Sequence, residues 1–209
     1  MREKFIIQFS KFLSLIFHPL GMPMLIYLLV RWIAPYYIGS AEADYFVFLL
    51  LGINIVAPAL SILIMIKFKM VSSIDLHDRK ERWAPYLLVI FYYIMSYALL
   101  KYYKPDLQKE VFSFFLSVII SLLLSLGINF FWKISVHMLG QGGVFGSLIS
   151  LSHLIRADVS VVIIGCLLMA ALTGFSRLRL NAHTHQQVYA GFVLGMVCNL
   201  VILCGQWFI

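Results

Sequence analysis

The sequence predicts an all-α fold, a polytopic transmembrane helical bundle of six to seven spans. Three observations lead there. Of the 209 residues, 62% are hydrophobic and only 12% are charged, a balance that a soluble domain of this size does not have. Apolar runs of about 20 residues, the length that crosses a bilayer, recur along the whole chain. No alternating strand pattern of a barrel is present, and in hydrocarbon the remaining way to satisfy the backbone is the helix.

The opening stretch, MREKFIIQFSKFLSLIF, has a basic end and an apolar continuation. No small-residue cleavage site follows it, only His18-Pro19, so it reads as an uncleaved amphipathic segment leading into the first span. Spans are expected at about 20–33, 45–66, 86–100, 111–131, 134–154, 159–178 and 188–208. The first is short unless residues before Pro19 contribute. The connections are polar: KFKMVSSIDLHDRKERWAP after the second span, KYYKPDLQKE after the third, RAD after the fifth. With no linker, low-complexity stretch or repeat, the chain reads as a single integral-membrane domain, 1–209.

The net charge of +7 carries no nucleic-acid signal, because the basic residues sit in short clusters between spans. Such clusters fit lipid headgroups or an anionic substrate. Cys166, Cys198 and Cys204 lie inside apolar runs without metal-ligand spacing and are expected as buried thiols. Gly142 and Gly146 on the fifth span, and Gly191 and Gly195 on the seventh, are small-xxx-small pairs that let helices approach closely.

Alternating spans bring three polar clusters, far apart in sequence, to one membrane face. They are the loop around 67–85, the stretch from Lys133 to His137, and the stretch from Arg177 to His185. The last, SRLRLNAHTHQQ, joins Arg177, whose planar donor fork suits a phosphate oxygen, to His183, whose neutral imidazole can act as nucleophile or base. Arg179 and His185 read more plainly as a snorkelling cation and an interfacial His. In the second cluster, WKISVHMLGQGG, His137 opens the fifth span behind Ser135 and Val136, where free backbone N–H groups of a helix start cradle an anion. The helix dipole disfavours a protonated His there, so a bound anion is needed to keep it an acid. Lys133 reads as a headgroup anchor. In the third, DLHDRKERWAP, a helix would put Asp75, Asp78 or Arg79, and Arg82 on one face. The plain alternative is a self-paired, solvated loop.

These residues resemble the type 2 phosphatidic acid phosphatase superfamily. Ser176-Arg177, five residues, then His183 is similar to that family's third motif, Ser-Arg, five residues, His, three residues, Asp. Ser135-Val136-His137 resembles the Ser-Gly-His of its second motif. Asp75 to Arg82 stands where its first motif, Lys, six residues, Arg-Pro, should be. The likeness covers about 67–205. The chain departs from the pattern at several places: Asp75 stands at the Lys position, Trp83 at the Pro, Ile134 and Val136 at the Pro and Gly of the second motif, and Gln187 at the Asp of the third.

The resemblance implies a membrane-embedded lipid phosphatase in the inner cell membrane. It would hydrolyse a lipid phosphomonoester or an isoprenoid pyrophosphate without a metal or other cofactor. His183 would attack phosphorus and form a phosphohistidine, and His137 would protonate the leaving oxygen. Arg177 and Arg82, with Lys80 or Arg79 supplying the charge lost at Asp75, would hold the phosphate oxygens. Gln187 would orient His183, although Thr184 and Gln187 also fit a capping box that serves only the helix start. Phosphoryl transfer needs mainly positioning and positive charge, which this residue set supplies.

Two other readings stay open. The altered first motif and Gln187 fit a relative that has lost catalysis and only binds, scaffolds or flips an anionic lipid. An aromatic-prenyltransferase-like enzyme would use Asp75 and Asp78 to hold a magnesium-bridged pyrophosphate, but that chemistry wants a second acidic cluster, and the chain has only nine acidic residues. The orientation is equally open. Without the candidate site residues, Arg2, Lys4, Lys11, Lys67 and Lys69 on one face balance Arg31, Lys101, Lys104, Lys109 and Arg156 on the other.

Overall fold

The computed structural model describes residues 2–35, 37, 40–73 and 78–205. It is all-helical among these residues. Eight helices run α1 (Arg2–Ile16), α2 (Met22–Ile33), α3 (Ala41–Lys67), α4 (Trp83–Tyr103), α5 (Lys109–Asn129), α6 (Val136–Ile155), α7 (Ser160–Arg179) and α8 (His185–Gly205), with short 3-10 turns at Pro19–Gly21 and Arg79–Glu81. Among the described residues seven helical segments are long and apolar enough to cross a membrane, so this is a multi-pass membrane protein. The first segment combines α1 and α2, Arg2–Ile33, so residues before Pro19 do contribute. Pro19 breaks it, because a proline ring cannot continue the preceding helix.

Local chemistry sets the helix ends. Ser40 caps α3 by accepting from Ala43 N at 3.2 Å, and Asp158 accepts from Ser160 N at 2.9 Å at the start of α7. α7 stops in a Schellman turn. Asn181, with φ 50°, stands in the left-handed position, while Ala182 N bonds Arg177 O and Asn181 N bonds Leu178 O. Helices α4, α6 and α8 therefore start, and α3, α5 and α7 end, at one face.

The most intimate pair is α6 with α8. A Cβ on Gly142 would lie 1.9 Å from Phe192 O, and one on Gly195 would lie 2.0 Å from Leu139 O. The glycine pairs thus bring the two backbones into contact, as their spacing predicts. Buried polar side chains tie the helices internally, Asn199 Oδ1 accepting from both Ser117 on α5 (2.7 Å) and Ser147 on α6 (3.0 Å). An aromatic and aliphatic core that includes Leu51, Tyr93, Leu100, Phe112 and Phe115 packs α3, α4 and α5 together. Cys166 and Cys198 are buried, but Cys204 is exposed on the outer surface of α8, contrary to expectation. A thiol is as apolar as its neighbours whether exposed or buried, so the composition of the run could not distinguish the two faces.

Candidate functional site: a cationic, histidine-lined cavity

At the face where the polar loops gather, one cavity of about 570 Å³ opens into the bundle. Arg82, His137, Arg177 and His183 line its mouth, together with His18. Its interior is mostly apolar, bounded by residues such as Ile26, Val89, Phe114 and Val144 with Ser121 and Asn199 among them, and it reaches Tyr93. From the start of α4 to Tyr93 is roughly 15 Å at the α-helical rise, about half the thickness of a bilayer's hydrocarbon core. No carboxylate is among the described residues lining it.

The Schellman turn and the next helix start put Arg177 and His183 on the same cavity. Arg177 is 4% exposed and His183 8%. His183 Nδ1 lies 3.0 Å from Gln187 Oε1, and Thr184 N donates to that same atom at 3.3 Å. A backbone N–H can only donate, so the shared atom is an amide oxygen and His183 Nδ1 must carry its proton. Nε2 is then the nitrogen with a free lone pair. Burial, aided by Arg82, Arg177 and Lys133 and opposed by the Gln187 hydrogen bond, holds the His183 pKa down at about 3. The imidazole is therefore neutral at pH 7, the form in which it is a nucleophile. Gln187 N also meets Thr184 Oγ1 at 3.4 Å, so the capping box forms as well.

His137 lies in the first turn of α6, whose leading amides have no acceptor within the helix. Its Nε2 meets the Ser14 carbonyl at 3.1 Å. A carbonyl only accepts, so Nε2 carries a proton and proton exchange falls to Nδ1. Val136 also lines the cavity. Ser135 does not. It is fully buried, its N donates to Gln187 O at 3.4 Å, and its hydroxyl has no hydrogen-bond partner among the described residues. That backbone contact couples the start of α6 to the start of α8.

Among the described residues of the third cluster, only Arg82 lines the cavity. It is 5% exposed and donates through Nη1 to Ile134 O at 3.2 Å. Asp75 lies outside the described residues. Asp78, Arg79 and Lys80 do not ride on a helix face: Asp78 caps the 3-10 turn by accepting from Lys80 N at 2.9 Å. Asp side chains compete well for nearby amides and favour caps over helix interiors. Lys80 is exposed and Arg79 half-buried, and neither lines the cavity. Lys133 is half-buried, and its pKa is lowered by burial and by Arg82 and Arg177. Arg179 lies over the Phe175 ring at 5.8 Å and His185 stacks on Tyr189, and neither lines the cavity.

Sequence reasoning missed the contribution of the N-terminal segment. His18, which the sequence marks only as half of a His-Pro break, packs edge-on against His137 with 5.6 Å between ring centroids, and Ser14 supplies the carbonyl on His137. The available signal was a titratable side chain interrupting an apolar run, which in a membrane protein calls for a partner. Among the described residues no group of three or more His, Cys, Asp and Glu could hold a metal ion. No family model, curated protein or solved structure matches the chain.

Proposed function

We propose that this protein is a membrane-embedded phosphatase acting on a lipid phosphomonoester or a lipid pyrophosphate. The observation that carries the reading is the cavity itself. Two buried arginines and three histidines meet at its mouth with no lining carboxylate among the described residues, and an apolar interior runs behind them into the bundle. A phosphate head bound by the cations and an apolar tail in the interior would satisfy both ends.

In this reading Nε2 of His183 attacks phosphorus, forming an N–P bond as the P–O bond to the lipid breaks. His137, charged by virtue of the bound phosphate, gives the Nδ1 proton to the leaving oxygen. Water, deprotonated by the now neutral His137, then cleaves the N–P bond. Arg82 and Arg177 hold the oxygens in which charge is concentrated. Their guanidiniums are fixed by burial, so little reorganisation is needed at the transition state. The same reading assigns the protein to the inner cell membrane, which membrane fractionation tests.

The second reading, an anionic-lipid binder without turnover, rests on Gln187. A neutral amide behind His183 orients the ring but gives no negative charge to a phosphohistidine. One experiment separates the two. Purified protein in detergent is offered a panel of lipid phosphates and pyrophosphates, and released phosphate is measured with and without chelator and vanadate. Phosphate release that resists chelator and is competitively blocked by vanadate, a mimic of pentavalent phosphorus, is the expected result. Binding without release favours the second reading, and activity that only magnesium restores overturns the metal-free mechanism.

A further inference from the structure

The N-terminal break contributes a residue to the cavity that neither the motifs nor the mechanism above uses. His18 follows α1 and caps the next 3-10 turn. Leu20 N donates to its Nδ1 at 3.3 Å. A backbone amide can only donate, so Nδ1 is unprotonated and the proton of the neutral ring sits on Nε2. With Nδ1 taken by the Leu20 amide, Nε2 is the ring's N–H donor.

Its position is distinctive. On one side its ring meets His137, edge-on, at 5.6 Å. On the other, the residues that follow it, Pro19 to Met22, line the apolar interior. His18 therefore stands where the cationic mouth gives way to the apolar channel. A lipid phosphate with its head at Arg177 and its tail inward must pass its connecting group across this point. In a monoester that group is a single ester oxygen. In a pyrophosphate it is a second, charged phosphate.

We propose that His18 is a specificity-determining residue that donates its Nε2–H to the group joining the attacked phosphate to the lipid tail, and so favours a lipid pyrophosphate over a monophosphate of the same tail. Resting on the phosphate-site reading above, it adds the choice between these two heads. A hydrogen bond to a charged phosphate oxygen is stronger than one to an ester oxygen. Loss of the donor therefore weakens the pyrophosphate more.

The test uses the full-length protein and His18→Asn. Asn keeps an acceptor for the Leu20 amide, being a favoured capping residue, but removes the imidazole donor. Binding of a methylene-bridged lipid diphosphonate and of the lipid monophosphonate with the same tail is measured by titration, and kcat and KM are measured for the corresponding hydrolysable pair. We expect Kd and KM for the diphosphate head to rise at least about tenfold in His18→Asn, with less than about a threefold change for the monophosphate head. Equal losses on both heads, or no loss on either, overturn the role of His18 while leaving the phosphatase reading standing. Wild-type protein that binds the diphosphonate with the expected His18 dependence but hydrolyses neither substrate supports the role of His18 and overturns the phosphatase reading. Wild-type protein that binds neither phosphonate overturns both. The melting temperature of the variant, expected to stay near the wild-type value, shows that a selective loss is not partial unfolding.

Discussion

Gln187 Oε1 accepts from both His183 Nδ1 (3.0 Å) and Thr184 N (3.3 Å), so one amide oxygen orients the imidazole and caps α8 together. The contacts that the two alternative readings need both form, because the cap and the histidine are neighbours in the same turn. Gln187→Leu is therefore expected to lose both. Turnover should drop at least about tenfold, roughly 1.4 kcal/mol of barrier, and stability by on the order of 1 kcal/mol. Gln187→Glu keeps an acceptor at both contacts and adds negative charge, so its turnover should equal or exceed wild type. Lipid phosphate hydrolysis and melting temperature, measured on both variants, check this. A Leu variant with full turnover and a lowered melting point would leave Gln187 only its cap.

The two histidines at the mouth are expected to differ in how their loss depends on the leaving group. In the proposed mechanism His183→Ala removes the attacking nitrogen and should abolish turnover on every substrate. His137→Ala removes a proton donor, which matters most when the leaving oxygen is a poor leaving group. A lipid alkyl phosphate should lose several orders of magnitude, on the general scale of about 10²–10⁴ for acid catalysis, while an aryl phosphate should lose far less. Side-by-side rates on the two esters decide the assignment, and a uniform loss across both argues against His137 as the acid.

Burial of His183 has a consequence for stability with a definite sign. Its pKa is about 3 in the folded protein against 6.5 for the free side chain. As pH falls below 6.5 the unfolded chain takes up a proton that the folded chain refuses until about pH 3. The unfolded state therefore gains, and stability drops as pH falls through this window. Between pH 7 and 4.5 the loss attributable to this residue is on the order of 2 kcal/mol. Thermal melts in detergent at the two pH values should show a smaller acid-induced decrease for His183→Asn than for wild type. An identical decrease would mean that the ring is not held neutral.

Contact between α6 and α8 is expected to be a condition for the site. A side chain at Gly195 meets Leu139 O at 2.0 Å, and rigid backbone cannot move out of the way as a flexible side chain can. Gly195→Val should separate the helices, lower stability by at least about 1–3 kcal/mol, and weaken binding of inorganic vanadate by disturbing the Ser135–Gln187 contact. Gly165→Val is the control, since a Cβ there meets nothing within 4 Å. Melting temperature and vanadate affinity should change only in the first variant.

What the sequence by itself determined is the membrane bundle, its helix order and the face on which the polar loops gather, because bilayer thickness imposes one length on every span and alternation does the rest. The proximity of Arg177 and His183 was legible for the same kind of reason: a few residues and one turn separate them. So was the α6–α8 contact, since spaced glycines signal backbone approach directly. Tertiary structure alone decided which cations face inward. Arg82 enters the cavity while Arg79 and Lys80, only a few residues away, do not, because Asp78 captures the Lys80 amide and tightens the turn. It alone brought Ser14 and His18 to His137, across more than a hundred residues of chain. A carbonyl leaves no trace in composition, and a lone histidine beside a proline has no periodicity to read. Only the packing of the N-terminal break against the start of α6 makes either of them part of the cavity.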